Sequence, residues 1–241
     1  MSAAGEDPEL DLVAVTDERD PLAERALALV HRTFAPADRQ PVSELLSELK
    51  ESRLGLLSNH NFHLIAAVAP DDEEPAGTII GVYLGGVNAG LVMYLAVRRE
   101  YRGHGLGRLL RPRLLEAFQE DARRAEHDDV AFVLGEVRAA SPWLRRLVAT
   151  RGAIPFDLEY YHPGMAPGYG EKYVLYRQPF GDARTELPVA LVRRILYAIY
   201  RRAYRVRYPL QREGFVAMLR QLEGRSKVGM HPEFARRSGT D

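Results

Sequence analysis

Apolar positions along the chain change rhythm from element to element. Residues 91–97 are apolar without a break, which leaves no solvated face and predicts a central strand covered on both sides. Leu106, Leu109 or Leu110, Leu114, and Ala117 or Phe118 then recur at helical spacing. Between strand and helix lies Arg102-Gly103-His104-Gly105-Leu106-Gly107, so the glycines stand at the mouth of a helix.

The rest of the chain falls into place around this stretch. Residues 10–15 alternate as a short strand. Asp20 caps a helix with Pro21 at its first position and Leu22, Ala26, Leu29, Val30 and Phe34 along one face. After a turn at 35–40, Pro41 opens a second helix, with Val42, Leu45, Leu46 and Leu49 on its apolar side, ending near Gly55. Residues 61–69 and 78–88 predict two strands around an acidic loop. Pro112, inside the third helix, predicts a bend near Arg108. Residues 130–137 predict a strand with Val130, Phe132, Leu134 and Glu136 on one face, which aligns a carboxylate with apolar neighbours. A helix at 142–151 stops at Gly152, and 154–161 and 172–176 read as closing strands around a Pro- and Gly-rich loop.

Beyond Pro179 two amphipathic helices are predicted. Residues 187–206 place Leu191, Ile195, Ile199 and Ala203 or Val206 on one side, and a second helix runs from about 209 to 223. The expected organisation is a loose N-terminus over 1–9, an α/β domain over 10–180, a helical extension over 181–224 and a tail over 225–241. The extension is expected to pack on the core or on a second copy, giving a homodimer, rather than to lie on a membrane surface.

Glycines at a helix mouth adopt backbone conformations closed to other residues, while free N–H groups and the helix dipole favour an anion such as a pyrophosphate. The spacing of the dinucleotide fingerprint is absent, and so is the phosphate-loop lysine signature. The stretch resembles instead the signature of the GNAT acetyltransferases: Arg or Gln, any two residues, Gly, any residue, Gly or Ala. Arg102, Gly105 and Gly107 meet it, and the flanking LAVRREYRG adds to the likeness. The resemblance implies an α/β GNAT acyl-CoA acyltransferase fold, a mixed central sheet flanked by helices, with a helical C-terminal extension. It also implies acetyl-CoA as co-substrate and no metal. Leu95, Ala96 and Val97 would lend main chain to the pantetheine arm. Arg102, Gly103, His104, Gly105, Leu106, Gly107 and Arg108 would hold the pyrophosphate.

A second stretch, GEVRAASPWLRRLVATRG, is similar to the branch of that family that acetylates ribosomal proteins and protein N-termini. Its pattern reads Leu-Glu-Val-Arg, two residues, Asn, six residues and Tyr; Glu136, Val137 and Arg138 match. The likeness implies Glu136 as general base, and its apolar neighbours on the strand face predict a raised pKa. Pairing with Arg138 or Arg145 is the other role open to it. Ser141, assigned to the coenzyme A site, stands where the family often has Asn. Val148 stands where a tyrosine commonly protonates the thiolate, so Tyr160, Tyr161, Tyr173 or solvent must take that part. Leu91 and Met93 occupy positions where other branches carry a Glu or His base. His104 reads as a phosphate neighbour or exposed side chain, and His162 as a surface histidine within reach of substrate.

Composition narrows the picture. The absence of cysteine excludes disulfides, thiolate catalysis and cysteine-bound metals, and the histidines lack metal-ligand spacing. Net charge is zero, but residues 1–75 carry sixteen acidic against six basic side chains and residues 187–241 twelve basic against four acidic. The basic end permits a nucleic-acid contact, yet solvated helix faces account for its arginines and no nucleic-acid partner is expected. With no signal-peptide core and no apolar run of membrane-spanning length, a cytoplasmic protein without a membrane span is expected. The expected function is transfer of an acetyl group to a primary amine of a small molecule or peptide. The acceptor would lie among the first helix pair, the 163–170 loop and the extension. The alternative is a catalytically silent acyl-CoA-binding sensor or scaffold, to which the loss of tyrosine at Val148 points.

Overall fold

The computed structural model describes residues 9–70, 72–164 and 172–235. Most of the 163–170 loop, the start of the N-terminus and the last residues of the expected tail lie outside them. The elements run β1 (Asp11–Val15), α1 (Pro21–Thr33), α2 (Val42–Arg53), β2 (His60–Val68), β3 (Gly77–Leu84), β4 (Ala89–Val97), α3 (Leu106–Arg124), β5 (Phe132–Arg138), α4 (Pro142–Arg151), β6 (Ile154–Pro155), β7 (Tyr173–Pro179), β8 (Leu187–Pro188), α5 (Val189–Ala198), α6 (Glu213–Gln221), β9 (Lys227–Val228) and α7 (Pro232–Ala235). Seven strands form a mixed sheet in the order β1-β2-β3-β4-β5-β7-β6, and β8 pairs with β9 separately. Among the described residues no helix is long and apolar enough to cross a membrane.

Two compact units divide the chain: Met1–Gly81 with Tyr94–Ala117, and Val82–Met93 with Phe118–Asp241. In the first, β1 and β2 pair antiparallel from Asp11 opposite Val68 to Val15 opposite Leu64. The carboxylate of Asp20 accepts the Leu22 N–H at 2.8 Å and, with Pro21, starts α1 as the sequence predicts. That helix buries Leu22, Ala26, Leu27, Leu29 and Val30, and α2 buries Leu45 and Leu49. Helix α3 runs unbroken through Pro112. Its buried residues Leu106, Leu110, Leu114, Phe118 and Ala122 recur every four positions.

In the second unit, β4 pairs parallel with β5 from Ala89 opposite Phe132 to Val92 opposite Gly135. Strand β7 pairs antiparallel along the whole of β5, from Phe132 opposite Pro179 to Arg138 opposite Tyr173. Gly135 leaves room for the Tyr176 ring, whose hydroxyl would lie 2.3 Å from an added Cβ. The strand expected at 78–88 ends at Leu84, because Gly85–Val87 forms a 3₁₀ turn and Asn88 takes φ 47°. The Asn88 side chain accepts from the Tyr83 hydroxyl and donates to the Asp129 carbonyl, both at 2.9 Å, fixing that turn.

Three further differences share one cause, the pairing of the C-terminal segment with the rest of this unit. The strand expected at 154–161 is two residues long, since Phe156 bridges to Met230 and the Asp157 amide donates to the Gly229 carbonyl at 3.0 Å. The helix expected from 187 starts at Val189, because Leu187 and Pro188 pair with Val228 and Lys227. Described residues beyond 225, expected as tail, carry β9 and α7, and Phe234 packs against Leu144, Leu147, Ala153 and Tyr176. The extension thus folds against its own chain. Val192, Ile195, Leu196, Ile199 and Tyr200 are buried, Arg194 donates to the Gly86 carbonyl, and Gly214 lets the backbone approach the Tyr161 side chain.

Candidate active site

The glycine loop is built from the end of β4 onward. The guanidinium of Arg98 reaches Asp72 at 2.5 Å and Glu100 at 2.6 Å, and its amide donates to the Ala76 carbonyl at 2.9 Å, which fixes the strand end. A 3₁₀ turn over Arg99–Tyr101 follows, and Arg102 Nε folds back to donate to the Val97 carbonyl at 3.1 Å. Gly103 and Gly105 adopt φ +90° and +81°. No atom lies within 4 Å of a Cβ added at either position, so the left-handed backbone, not crowding, calls for glycine there. Leu106, 3% exposed, seats the first turn of α3.

The first amides of α3 have no acceptor within the helix, while the Arg108 N–H turns to the Gly105 carbonyl at 2.6 Å. Arg102, His104 and Arg108 are exposed, Gly105 and Gly107 half-buried. An added Cβ on Gly107 would stand 3.4 Å from the Leu95 side chain. Leu95 and Val97 are half-buried and Ala96 is buried. The arrangement offers main-chain donors and two flanking arginines, one of them partly engaged, to an anion at a helix N-terminus.

The second feature is a buried carboxylate. Glu136 lies on β5 one residue past its last pair with β4 and opposite Leu175 of β7. Its side chain is 5% exposed. Tyr160 donates to Oε1, and Tyr204 donates to Oε2 at 2.6 Å. His162 Nε2 stands 3.5 Å from Oε2. The Gly164 amide donates to His162 Nδ1 at 3.3 Å, which assigns the ring proton of the neutral tautomer to Nε2, facing the carboxylate. The ring of His162 packs 4.8 Å from that of Tyr204 and 5.2 Å from that of Tyr173.

Burial, followed by the charge of Glu136, pushes the Tyr160 phenol well above its ordinary range. Tyr200, whose hydroxyl donates to the Tyr161 carbonyl at 2.5 Å, is raised by the same two causes in the same order. Both remain protonated donors at neutral pH. The two phenols that donate to it fix the orientation of the Glu136 carboxylate.

Other expected site residues have structural tasks. Ser141 Oγ accepts the Trp143 N–H at 3.3 Å and caps α4. Val148 packs against the cluster of Leu144, Leu147, Ala153 and Tyr176, so the position lacking a tyrosine is filled by aliphatic packing. His162, expected at the surface, is 5% exposed. Tyr204 escaped the sequence reading altogether, since it stands 68 positions from Glu136 and no periodicity joins the two.

The sequence profile of the acetyltransferase (GNAT) family matches residues 27–134, from α1 through the glycine loop into β5. Over that stretch the chain is similar to the GNAT acetyltransferase family. The match implies an acyltransferase with acetyl-CoA as co-substrate. Among solved structures, a GNAT-family protein from Bacteroides thetaiotaomicron is similar in fold at TM-score 0.54 and 17% identity, covering 82% of this chain and 99% of that one. The ribosomal-protein-S18-alanine N-acetyltransferase from Escherichia coli gives TM-score 0.49 and 17% identity over 72% of this chain and 97% of its own. No curated protein matches the sequence.

Proposed function

We propose that this protein is a GNAT acetyltransferase and moves the acetyl group of acetyl-CoA to the primary amine of a small molecule or peptide. In this reading the first-turn amides of α3 and the loop Arg102 to Arg108 hold the pyrophosphate, and the main chain of Leu95, Ala96 and Val97 aligns the pantetheine arm. The observation that carries it is the pair of left-handed glycines, Gly103 and Gly105, at the mouth of a nineteen-residue helix. A neutral amine attacks the thioester carbonyl, the tetrahedral oxyanion collapses, and the coenzyme leaves as a thiolate. The nitrogen sheds one proton on the way. Glu136, supplied by the strand that pairs with β4, is its destination. Ser141 enters this scheme only as the cap that starts α4.

Purified full-length protein with acetyl-CoA and a panel of amino acids, polyamines, aminoglycosides and short peptides tests the reading through release of free thiol. The expected result is saturable release with one acceptor class. Tight acetyl-CoA binding without release on any amine would favour the silent sensor instead.

A further inference from the structure

We propose that Tyr204, contributed by the C-terminal extension, is the group that meets the acceptor amine and relays its proton to Glu136. The inference rests on the reading of Glu136 as the proton's destination. Among the described side chains around that carboxylate, Tyr160 is 2% exposed and His162 5%, whereas Tyr204 is half-buried. Glu136, at 5%, is itself screened from direct contact with an amine. The Tyr204 hydroxyl already donates to Oε2 at 2.6 Å, a geometry in which the phenol can pass on its proton as it accepts another. As the amine nitrogen forms its bond to the acetyl carbon, its N–H proton moves to the Tyr204 oxygen and the phenol's own proton moves to Glu136. Tyr204 ends neutral, Glu136 ends protonated and the product is an amide. No further reactant is required.

The backbone supplies independent support. Helix α5 gives way to a π-helical turn over Ile199–Ala203, closed by the Tyr204 amide donating to the Ile199 carbonyl at 3.0 Å. The next residue, Arg205, takes φ +53°. A π turn followed by a non-glycine left-handed residue is rare and costly, and such segments gather at functional sites. Here the device ends on Tyr204, whose hydroxyl donates to Glu136. The groups around the pair are Tyr160 and His162 from the segment before β7, Tyr173 of β7 and Tyr200 of the π turn. Arg138 of β5 donates to the Tyr173 hydroxyl at 3.4 Å.

The test compares full-length wild type, Tyr204→Phe, Glu136→Gln, the double variant and Tyr197→Phe. Thiol release is measured with acetyl-CoA and a pool of lysine, spermidine, kanamycin and an alanine-headed tetrapeptide, after melting curves establish that each protein is folded. Tyr204→Phe and Glu136→Gln should each lower kcat by about 10² to 10⁴ and leave KM for acetyl-CoA unchanged. The double variant should be no slower than the slower single, as for groups acting as a unit. Tyr197→Phe alters the exposed face of the helix that leads into the turn without touching the relay and should stay near wild type. In mixtures of H₂O and D₂O the wild-type rate should curve with deuterium fraction, because two protons move together; in Tyr204→Phe the dependence should be linear. A kcat that survives Tyr204→Phe but falls in Glu136→Gln overturns the relay alone. A Tyr197→Phe loss as large as that of Tyr204→Phe, or a linear wild-type inventory, overturns it too. Rates untouched by Glu136→Gln, or a wild type inactive on the whole pool, remove the reading beneath it and the relay together.

Discussion

The glycine loop and the Glu136 cluster lie in different compact units and are built on opposite principles. The loop works through main chain: its glycines are dictated by φ, its flanking side chains are exposed, and its donors are amides that any sequence of suitable backbone would present. The cluster works through side chains, with a carboxylate, two phenols and an imidazole, all buried but the half-buried Tyr204, brought together from segments distant in sequence. A backbone site tolerates change in its side chains but not in its dihedral angles. A buried side-chain site tolerates little change in chemistry, because each group left without its partner bears a desolvation cost of about 1–3 kcal/mol.

The difference predicts a clean dissociation. Glu136→Gln should cut kcat by about 10² to 10⁴ while calorimetric affinity for acetyl-CoA holds. Gly105→Val should do the reverse, abolishing acetyl-CoA binding in a protein that still folds, since a β-branched residue at φ +81° carries strain of about 1–3 kcal/mol in a loop with open space around it. If binding fell in the glutamine variant, or persisted in the folded valine variant, the division into backbone and side-chain sites would not stand.

A second prediction sharpens it from the side of stability. Phe215 is 1% exposed, and its ring lies 4.9 Å from that of Tyr200 and 6.3 Å from that of Tyr197. Phe215→Ala should cost about 3–5 kcal/mol in urea unfolding. It should also depress kcat, because the segment it supports carries Tyr204, and acetyl-CoA affinity should hold.

The smallest effect belongs to the foot of the loop. The Glu74 amide and, after it, the Arg98 guanidinium hold the Asp72 carboxyl below the usual carboxylate range. Its unfolded value is about 3.9, so this stabilisation is present above that pH and is lost as the pH falls through the lower folded value. Asp72→Asn should therefore melt below wild type at pH 7, and the gap should close in acid below about pH 3.9. A gap that widened in acid would reverse the assigned sign.

The two sites were not equally legible in the sequence. The loop could be read because glycine is the backbone's own code: Gly103 and Gly105 announce positive φ, and Leu106, Leu110 and Leu114 announce the helix that follows. Glu136 was found by alternation with Phe132 and Leu134, a period local to one strand. Its partners were not, since nothing in a local period relates Glu136 to Tyr160, His162 or Tyr204. The errors at 154–161, at the start of α5 and beyond 225 arise in the same way, from pairing between segments that meet only in the folded chain. His162 misled for a related reason. A histidine beside a proline in a loop reads as solvated, and the two tyrosine rings that cover it come from β7 and from the extension.

The span of 68 positions between Glu136 and Tyr204 also sets a clock. A ribosome adding about 5–20 residues per second delivers Tyr204 roughly 3 to 14 s after Glu136. Through that interval the nascent chain already contains the whole glycine loop but has no Tyr204 to set beside the carboxylate. On the proposed reading, cofactor capture would be encoded early in translation and proton transfer late. A chain ending before Tyr204 would, on that reading, contain the loop and lack the relay.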